Sequence, residues 1–132
     1  MKLDSLSFFK IASQRMQWLS TRQQVISENI ANADTPGFRA REVSGFSEML
    51  DDSARPSGVV TTNARHLGGA AQAGNVRVRV DDGAWDQSMD GNTVVLEQQS
   101  IKAAEVSENY RMAAQLYRKG HELLTLAVTG IR

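Results

Sequence analysis

Two stretches with apolar residues at alternating steps of three and four flank a middle segment rich in glycine and proline. Eight of the ten glycines and both prolines lie between residues 35 and 93. Glycine and proline cost a helix interior about 1 and 3 kcal/mol relative to alanine. The sequence therefore predicts a mainly α fold: long N- and C-terminal helices paired as a coiled coil, with an irregular middle that contains a short β-hairpin.

The N-terminal flank, residues 1–34, predicts a helix over residues 4–34. Its apolar stripe has the heptad spacing of a coiled-coil seam. The helix is expected to end before Pro36, because the residue that precedes a proline avoids the α region. The packing positions that we predict in this flank are Phe9, Met16, Leu19, Ile26 and Ile30.

The C-terminal flank, residues 93–132, repeats the pattern and predicts a second helix over residues 93–130. Asn92 or Thr93 is expected to cap its start. Small residues such as Ala113 and Gly120 alternate with large ones, which permits a partner helix to approach closely. The packing positions that we predict here are Leu96, Val106, Tyr110, Ala113, Tyr117 and Leu124.

The middle segment, residues 35–92, carries little pattern. The alternation from Val76 to Val80 predicts a short strand, and Asp82-Gly83 is a turn signal. A returning strand would begin at Ala84-Trp85, which places the hairpin near residues 76–86. Residues 51–75 are small, polar and glycine-rich, and we predict that they are mobile.

The composition indicates a protein without catalytic, cofactor or metal sites. The 15 Lys and Arg residues balance 15 Asp and Glu residues, which argues against a nucleic-acid binder. There is no cysteine, and neither of the two histidines belongs to a catalytic motif. No small-molecule substrate is expected.

The segment from Asp86 to Glu97 has the spacing of an EF-hand calcium loop, with Ser88, Asp90 and Gly91 at ligand and turn positions. The surrounding pattern instead favours a turn that leads into a helix, with Glu97 near the positive end of the helix dipole. A calcium-binding module stays an alternative, which calorimetry with calcium would test.

Residues 31–39 carry the most specific motif of the chain. Its members are Ala31, Asn32, Thr35, Pro36, Gly37, Phe38 and Arg39. The motif resembles the signature of the flagellar rod and hook axial proteins, and residues 90–97 are similar to the proximal rod members of that family. Pro36 and Gly37 suit the central positions of a type II turn. The motif is therefore predicted to be a hinge that redirects the chain, with Gly37 at positive φ.

The resemblance implies a structural subunit of the bacterial flagellar basal-body rod, which assembles through axial helical packing and serves motility. It also implies partners: further copies of the chain, FlgC-like rod subunits, the adaptor FliE, the membrane-embedded ring at the rod base and the flagellar type III export gate. The location implied is the periplasmic rod.

The N-terminus lacks the apolar core of a Sec signal peptide, which agrees with export by the flagellar system without a cleaved signal. Phe46 and Leu50 resemble the element by which such subunits dock on the export gate, although an amphipathic turn packed on the core explains them equally well. The competing function is a cytosolic coiled-coil adaptor, which accounts for the heptads but not for the motif at 31–39.

Overall fold

The computed structural model describes residues 7–54 and 76–130. In chain order the elements are helix α1 (Ser7–Ala31), strand β1 (Arg41–Val43), helix α2 (Phe46–Ala54), strand β2 (Val78–Val80) and helix α3 (Leu96–Thr129). The predicted mainly α fold, with two long flanking helices, is confirmed. None of the helices in these ranges is long and apolar enough to cross a membrane.

Helices α1 and α3 pack side by side in opposite directions. Near the start of α1, the Phe9 ring meets the Tyr117 ring edge to face, with centroids 5.1 Å apart. Near its end, the Asn29 amide reaches Gln99 at 3.1 Å. Gly120 permits the close approach expected of the small residues, because a Cβ built there would lie 2.5 Å from Cε1 of Phe8.

The core lies where α1 meets α3 on one side and the strands and α2 on the other. Its buried members are Trp18, Leu19, Val25, Ile26, Val43, Met49, Val106 and Ala113. Trp18 and Val25 lie about 100° around α1 from Leu19 and Ile26, so α1 buries two neighbouring faces rather than the single stripe predicted from the heptads.

The predicted packing positions fall into three groups. Fully buried are Phe9, Leu19, Ile26, Val106 and Ala113, and half-buried are Met16, Tyr117 and Leu124. Exposed are Ile30, Leu96 and Tyr110, at 43%, 49% and 45% of their surface. One antiparallel partner covers only part of the apolar surface that the two stripes provide.

The two strands pair antiparallel, with Arg41 opposite Val80 and Val43 opposite Val78. The strand predicted from the alternation is present, but its expected partner near Ala84-Trp85 is wrong. The ladder continues from Ser44 N–H to Arg77 C=O (2.7 Å) and from Asp81 N–H to Ala40 C=O (2.8 Å). Residues 40–44 thus form the hydrogen bonds with the backbone of residues 77–81 that a strand returning at Ala84-Trp85 would have formed.

Helix α2 includes residues 51–54, where the sequence showed no helical pattern, while the mobility of 51–75 stays a prediction. Met49 is buried, and Phe46 and Leu50 pack against the same core, which gives the segment an apolar face. Asp52 forms an ion pair with Arg77 at 3.0 Å, which ties α2 to the strand segment. Residues 55–75 lie outside the described residues.

Candidate functional site

The hinge motif packs against the segment that leads into α3. The Gly37 N–H donates to the Asp90 carbonyl at 2.9 Å, and the Thr93 N–H donates to the Phe38 carbonyl at 3.0 Å. We call this pair of segments, residues 31–39 and 88–93, the turn junction. The two stretches that carried the family resemblance therefore form one structural site.

The first half of the turn junction is the predicted turn. The Phe38 N–H donates to the Thr35 carbonyl at 3.2 Å, and Gly37 has a φ of +72°. This confirms the turn and the positive φ predicted for Gly37. Asn32 donates its amide to the Glu28 carbonyl at 2.8 Å, and the Thr35 hydroxyl donates to Asn32 at 3.2 Å. These bonds satisfy polar groups where α1 unwinds.

Asn92 locks the two halves of the turn junction together. Its side chain is 3% exposed, and its Nδ2 lies 2.8–2.9 Å from the carbonyl oxygens of Asn32, Ala33 and Thr35. Its Oδ1 accepts the Val94 N–H at 2.7 Å. One side chain thus bonds three carbonyl groups of the turn that follows α1, two of which also accept backbone N–H groups, from Thr35 and Phe38.

The prediction that Asn92 or Thr93 caps α3 is wrong. Helix α3 starts at Leu96, and its N-cap, Val95, makes no side-chain hydrogen bond. The Thr93 hydroxyl instead accepts the N–H of Ala40 at 2.8 Å. Both side chains form hydrogen bonds with the segment that follows α1, which lies 53 to 60 residues earlier in the sequence. Neither of them caps helix α3.

The remaining motif residues lie at the rim of the junction. Phe38 is half-buried, and the Arg41 guanidinium lies 5.9 Å from the centroid of its ring. Ala31, Pro36 and Arg39 are exposed. The junction therefore presents an outer surface as well as holding the chain.

The segment with EF-hand spacing forms a turn. Gly91 has a φ of +85°, and its N–H donates to the Ser88 carbonyl at 2.9 Å. The Ser88 hydroxyl donates to Asp90, which also accepts the Asn92 N–H. These bonds hold the pKa of the exposed Asp90 carboxyl below its usual value of 3.8. Within 7–54 and 76–130, no three His, Asp or Glu side chains converge as metal ligands would.

A group of partly buried charges joins both long helices to the strands, and no local sequence pattern predicts it. Arg22 donates to the two carboxylate oxygens of Glu42 at 3.1 and 3.2 Å. Lys102 lies 3.0 Å from Glu42 and 2.6 Å from Asp81. We call these four side chains the ion-pair network. They bridge α1, β1, the end of β2 and α3.

The network changes the acidity of its members. Burial alone would raise the pKa of Glu42, but the hydrogen bonds from Arg22 and Lys102 outweigh burial and keep it below 4.5. Likewise, the hydrogen bond from Lys102 outweighs burial and keeps the pKa of Asp81 below 3.8. Burial would lower the pKa of Lys102, yet its two carboxylate partners raise it above 10.5.

Two further polar contacts fix the position of the segment after the hinge. The Trp18 indole N–H donates to the Ser44 carbonyl at 2.7 Å. Asn29 forms paired hydrogen bonds with the backbone of Arg41, at 2.9 Å to its N–H and 2.7 Å to its carbonyl. Asn29 precedes the hinge motif in the sequence, but no local pattern reveals its partners, which lie 12 and 70 residues away.

Phe46 and Leu50 serve packing in the folded chain. The Phe46 ring lies 6.0 Å from the Trp18 ring. The Arg15 guanidinium lies 4.8 Å from the Trp18 ring and 5.0 Å from the Phe46 ring. Leu50 is half-buried against the core. A partner that binds both side chains in the folded chain has to displace the Phe46 ring from its contacts with Trp18 and Arg15.

Helix α3 carries a second apolar stripe that α1 leaves largely exposed. Met112, Leu116 and Leu123 are 53%, 55% and 55% exposed. Their spacing of four and seven residues places them on one face of the helix. An exposed apolar stripe of this kind is typical of a surface that another chain covers.

The chain is similar in sequence to flagellar basal body rod proteins. A sequence profile described as "Flagella basal body rod protein" matches residues 9–39, which span α1 and the hinge motif. The chain is 33% identical to flagellar basal body rod protein FlgB of Agrobacterium fabrum, over 96% of both chains. It is 34% identical to FlgB of Yersinia enterocolitica over 83% of both chains. It is 30% identical to FlgB of Escherichia coli over 85% of this chain and 84% of the relative.

Proposed function

Because the chain belongs to the FlgB family of flagellar basal body rod proteins, we propose that its long helices join neighbouring subunits. The contact would be made through the apolar stripe that the single chain leaves exposed. The protein is a structural subunit of the bacterial flagellar rod. The observation that carries the proposed mechanism is the exposure of Met112, Leu116 and Leu123 on one face of α3. Nothing favours a cytosolic adaptor instead.

The energetic case rests on burial of that stripe. Burying a leucine or methionine side chain contributes about 1.5–3 kcal/mol when it starts fully exposed, and these three are each about half exposed. A few kcal/mol per interface, repeated at every subunit, favours a polymer. Helices α1 and α3 would then form the packing unit between subunits, with β1 and α2 packed against the same core.

The test is a charge placed on the stripe. Leu116→Asp is expected to fold, because the side chain is exposed, and to abolish swimming and basal-body rod assembly, because the carboxylate would be buried between subunits. Gln115→Asp is the matched control: it lies next in sequence, about 100° around the helix, and should swim normally. Normal rods in the Leu116→Asp strain would remove α3 from the interface.

We further propose that the subunit reaches the periplasm through the flagellar type III export gate, and that the Phe46 and Leu50 element serves that passage without a cleaved signal. The partners that fit this location are further copies, FlgC-like rod subunits, FliE and the membrane ring. The role that we propose is mechanical, because Asn92 and the ion-pair network join the elements of the fold to one another.

A further inference from the structure

The loop after β2 presents apolar side chains to solvent. Within residues 81–90, which we call the acidic loop, Trp85 is 65% exposed and Met89 is fully exposed. Both belong to an ordered segment: the Gly83 carbonyl accepts from the Gln98 amide at 2.9 Å, and the Ser88 N–H donates to the Asn92 carbonyl at 2.9 Å. An exposed tryptophan on an anchored loop is a strong candidate for an interface anchor.

The charge of the acidic loop indicates what covers it. The loop contains four aspartates and no Lys or Arg. Asp81 belongs to the ion-pair network, whereas Asp82, Asp86 and Asp90 form no ion pair with any residue that the structure describes. The occupant of this surface should therefore combine apolar side chains with positive charge.

The same chain offers such a surface at the other end of the helical pair. A groove between the start of α1, the middle of α3 and the start of α2 is lined by Phe8, Ile11, Ala12, Arg15, Phe46, Ala113 and Leu116. The α1 and α3 stretches that line it carry only positive charge: residues 7–16 hold Lys10 and Arg15, and residues 111–119 hold Arg111, Arg118 and Lys119, of which Lys119 pairs with Glu122 at 3.5 Å. The third lining element, α2, carries the exposed Asp51 together with Glu48 and Asp52, which are ion-paired with Arg79 and Arg77. We call this groove the basic groove.

The acidic loop cannot reach the basic groove of its own chain. The loop is held at the start of α3, where Gln98 bonds to Gly83, whereas the groove lies at Ala113 and Leu116. Because a helix rises 1.5 Å per residue, Ala113 is about 26 Å along the axis from Leu96. The two complementary surfaces of one copy are thus kept apart by a rigid helix.

We propose that the acidic loop of one copy seats in the basic groove of a second copy displaced along the helix axis. Trp85 and Met89 would pack on Ile11 and Leu116, and the loop aspartates would face the lysines and arginines around the groove. The contact uses two different patches, so it is heterologous and continues from copy to copy instead of closing as a dimer. This inference rests on the proposed function and specifies which surfaces meet.

Cross-linking tests the contact directly, because the chain has no cysteine of its own. Basal bodies are isolated from a strain that carries Met89→Cys and Leu116→Cys in the full chain, and treated with a short bismaleimide. The expected result is a ladder of products in steps of the 14.5 kDa chain. Met89→Cys with Gln115→Cys is the control, which should give at most a trace of product.

Three outcomes would overturn the inference: no ladder, a ladder of equal strength in the control, or products whose mass shows a different protein at the groove. If the strain with Met89→Cys and Leu116→Cys builds rods but gives no ladder, and the Leu116→Asp strain still fails to swim, then only the loop-to-groove contact is refuted. The proposed rod function is retained in that case.

A charge exchange gives a second readout. Asp86→Lys and Lys119→Glu should each reduce swimming at least severalfold, and the double variant should recover most of it, because the exchanged pair again attracts. Both positions are exposed, so circular dichroism should show unchanged helix content. Additive loss in the double variant, or normal swimming of both single variants, would contradict the pairing.

Discussion

Gly37 and Gly91 face each other across the turn junction. Both have positive φ, at +72° and +85°, and a Cβ built on Gly91 would lie 3.5 Å from the Cα of Gly37. The Gly37 N–H also bonds to Asp90, the residue before Gly91. Two left-handed turns from opposite ends of the middle segment therefore determine together where the chain leaves α1 and where it enters α3.

Gly37→Val should be exported normally yet build no rod. The left-handed region costs a residue with a Cβ about 1–2 kcal/mol, and a misdirected chain would collide with its neighbours in every subunit. Gly37→Asn, which tolerates left-handed geometry, should be partly functional. Swimming and secretion are measured in parallel, with Gly45→Ala, at a position without positive φ, as the control. Equal motility of the Val and wild-type strains would show that the turn does not direct assembly.

Asn92→Ala should lower the free energy of unfolding by about 1–3 kcal/mol, because the carbonyl groups of Asn32, Ala33 and Thr35 all lose the buried Asn92 amide as a donor. Thermal unfolding followed by circular dichroism measures the loss. Gln87→Ala is the control, since Gln87 is exposed and its amide makes one long bond of 3.4 Å. An unchanged melting temperature for Asn92→Ala would mean that water replaces the amide at no cost.

Leu19→Asp and Ala113→Asp should block assembly and motility while export continues. Leu19 is completely buried and Ala113 is 9% exposed, both between α1 and α3, and an unpaired buried carboxylate costs several kcal/mol. Secretion is assayed beside swimming. Ser20→Asp, at an exposed neighbouring position, should behave as wild type. A normal rod in either buried variant would place that residue outside a dry seam.

The ion-pair network should make stability fall in acid. The pKa values of Glu42 and Asp81 are lowered on folding, so their contribution is present above the ordinary values of 4.5 and 3.8 and disappears as the pH falls through the lowered values. Lys102 has a raised pKa, so its contribution is present below 10.5 and disappears as the pH rises through the raised value.

Unfolding temperatures measured from acid to alkaline pH would check this. Glu42→Gln should flatten the acid limb, whereas Glu97→Gln, outside the network, should leave it unchanged. An acid limb of equal steepness in wild type and Glu42→Gln would show that other carboxyls dominate acid unfolding.

Phe46→Ala with Leu50→Ala should leave the subunit in the cytoplasm if the two side chains dock on the export gate. Because both also pack on the core, Met49→Ala is the matched control: Met49 is 3% exposed on the same helix but lies outside the pattern. Fractionation with an antibody should find the Met49 variant exported and the double variant retained. Retention of both variants would indicate that loss of packing alone blocks export.

The parts of the fold that the sequence predicted are those with a local signal. The heptad stripes of α1 and α3, the Pro36-Gly37 turn and the alternation before Val80 each depend on neighbours in the chain. Asn92 was misassigned because its position before a helix gives the same local signal as a cap, while its actual acceptors lie about sixty residues away. The partner of β2 was misassigned for the same reason.

The ion-pair network and the anchor of Trp18 on Ser44 could not be predicted at all. Their members are separated by about twenty residues or more, and a single charged residue on a helix ordinarily indicates only a solvated face. They become interpretable once α1, α3 and the strands are placed together.

The hydrogen bond between the buried side-chain amides of Asn29 and Gln99 helps to set the register in which α1 packs against α3. Apolar stripes with a seven-residue repeat would tolerate a slip of α3 by one heptad. Such a slip would place Val106 opposite Asn29, whose amide would keep its bonds to Arg41 but lose the one to Gln99, and the loss of a buried hydrogen bond costs about 0.5–1.5 kcal/mol. The pair therefore acts as a key for a single alignment, as a lone asparagine does in coiled coils. In a polymer whose many helices share similar stripes, that bond favours the one register of α3 against α1 over registers shifted by a heptad.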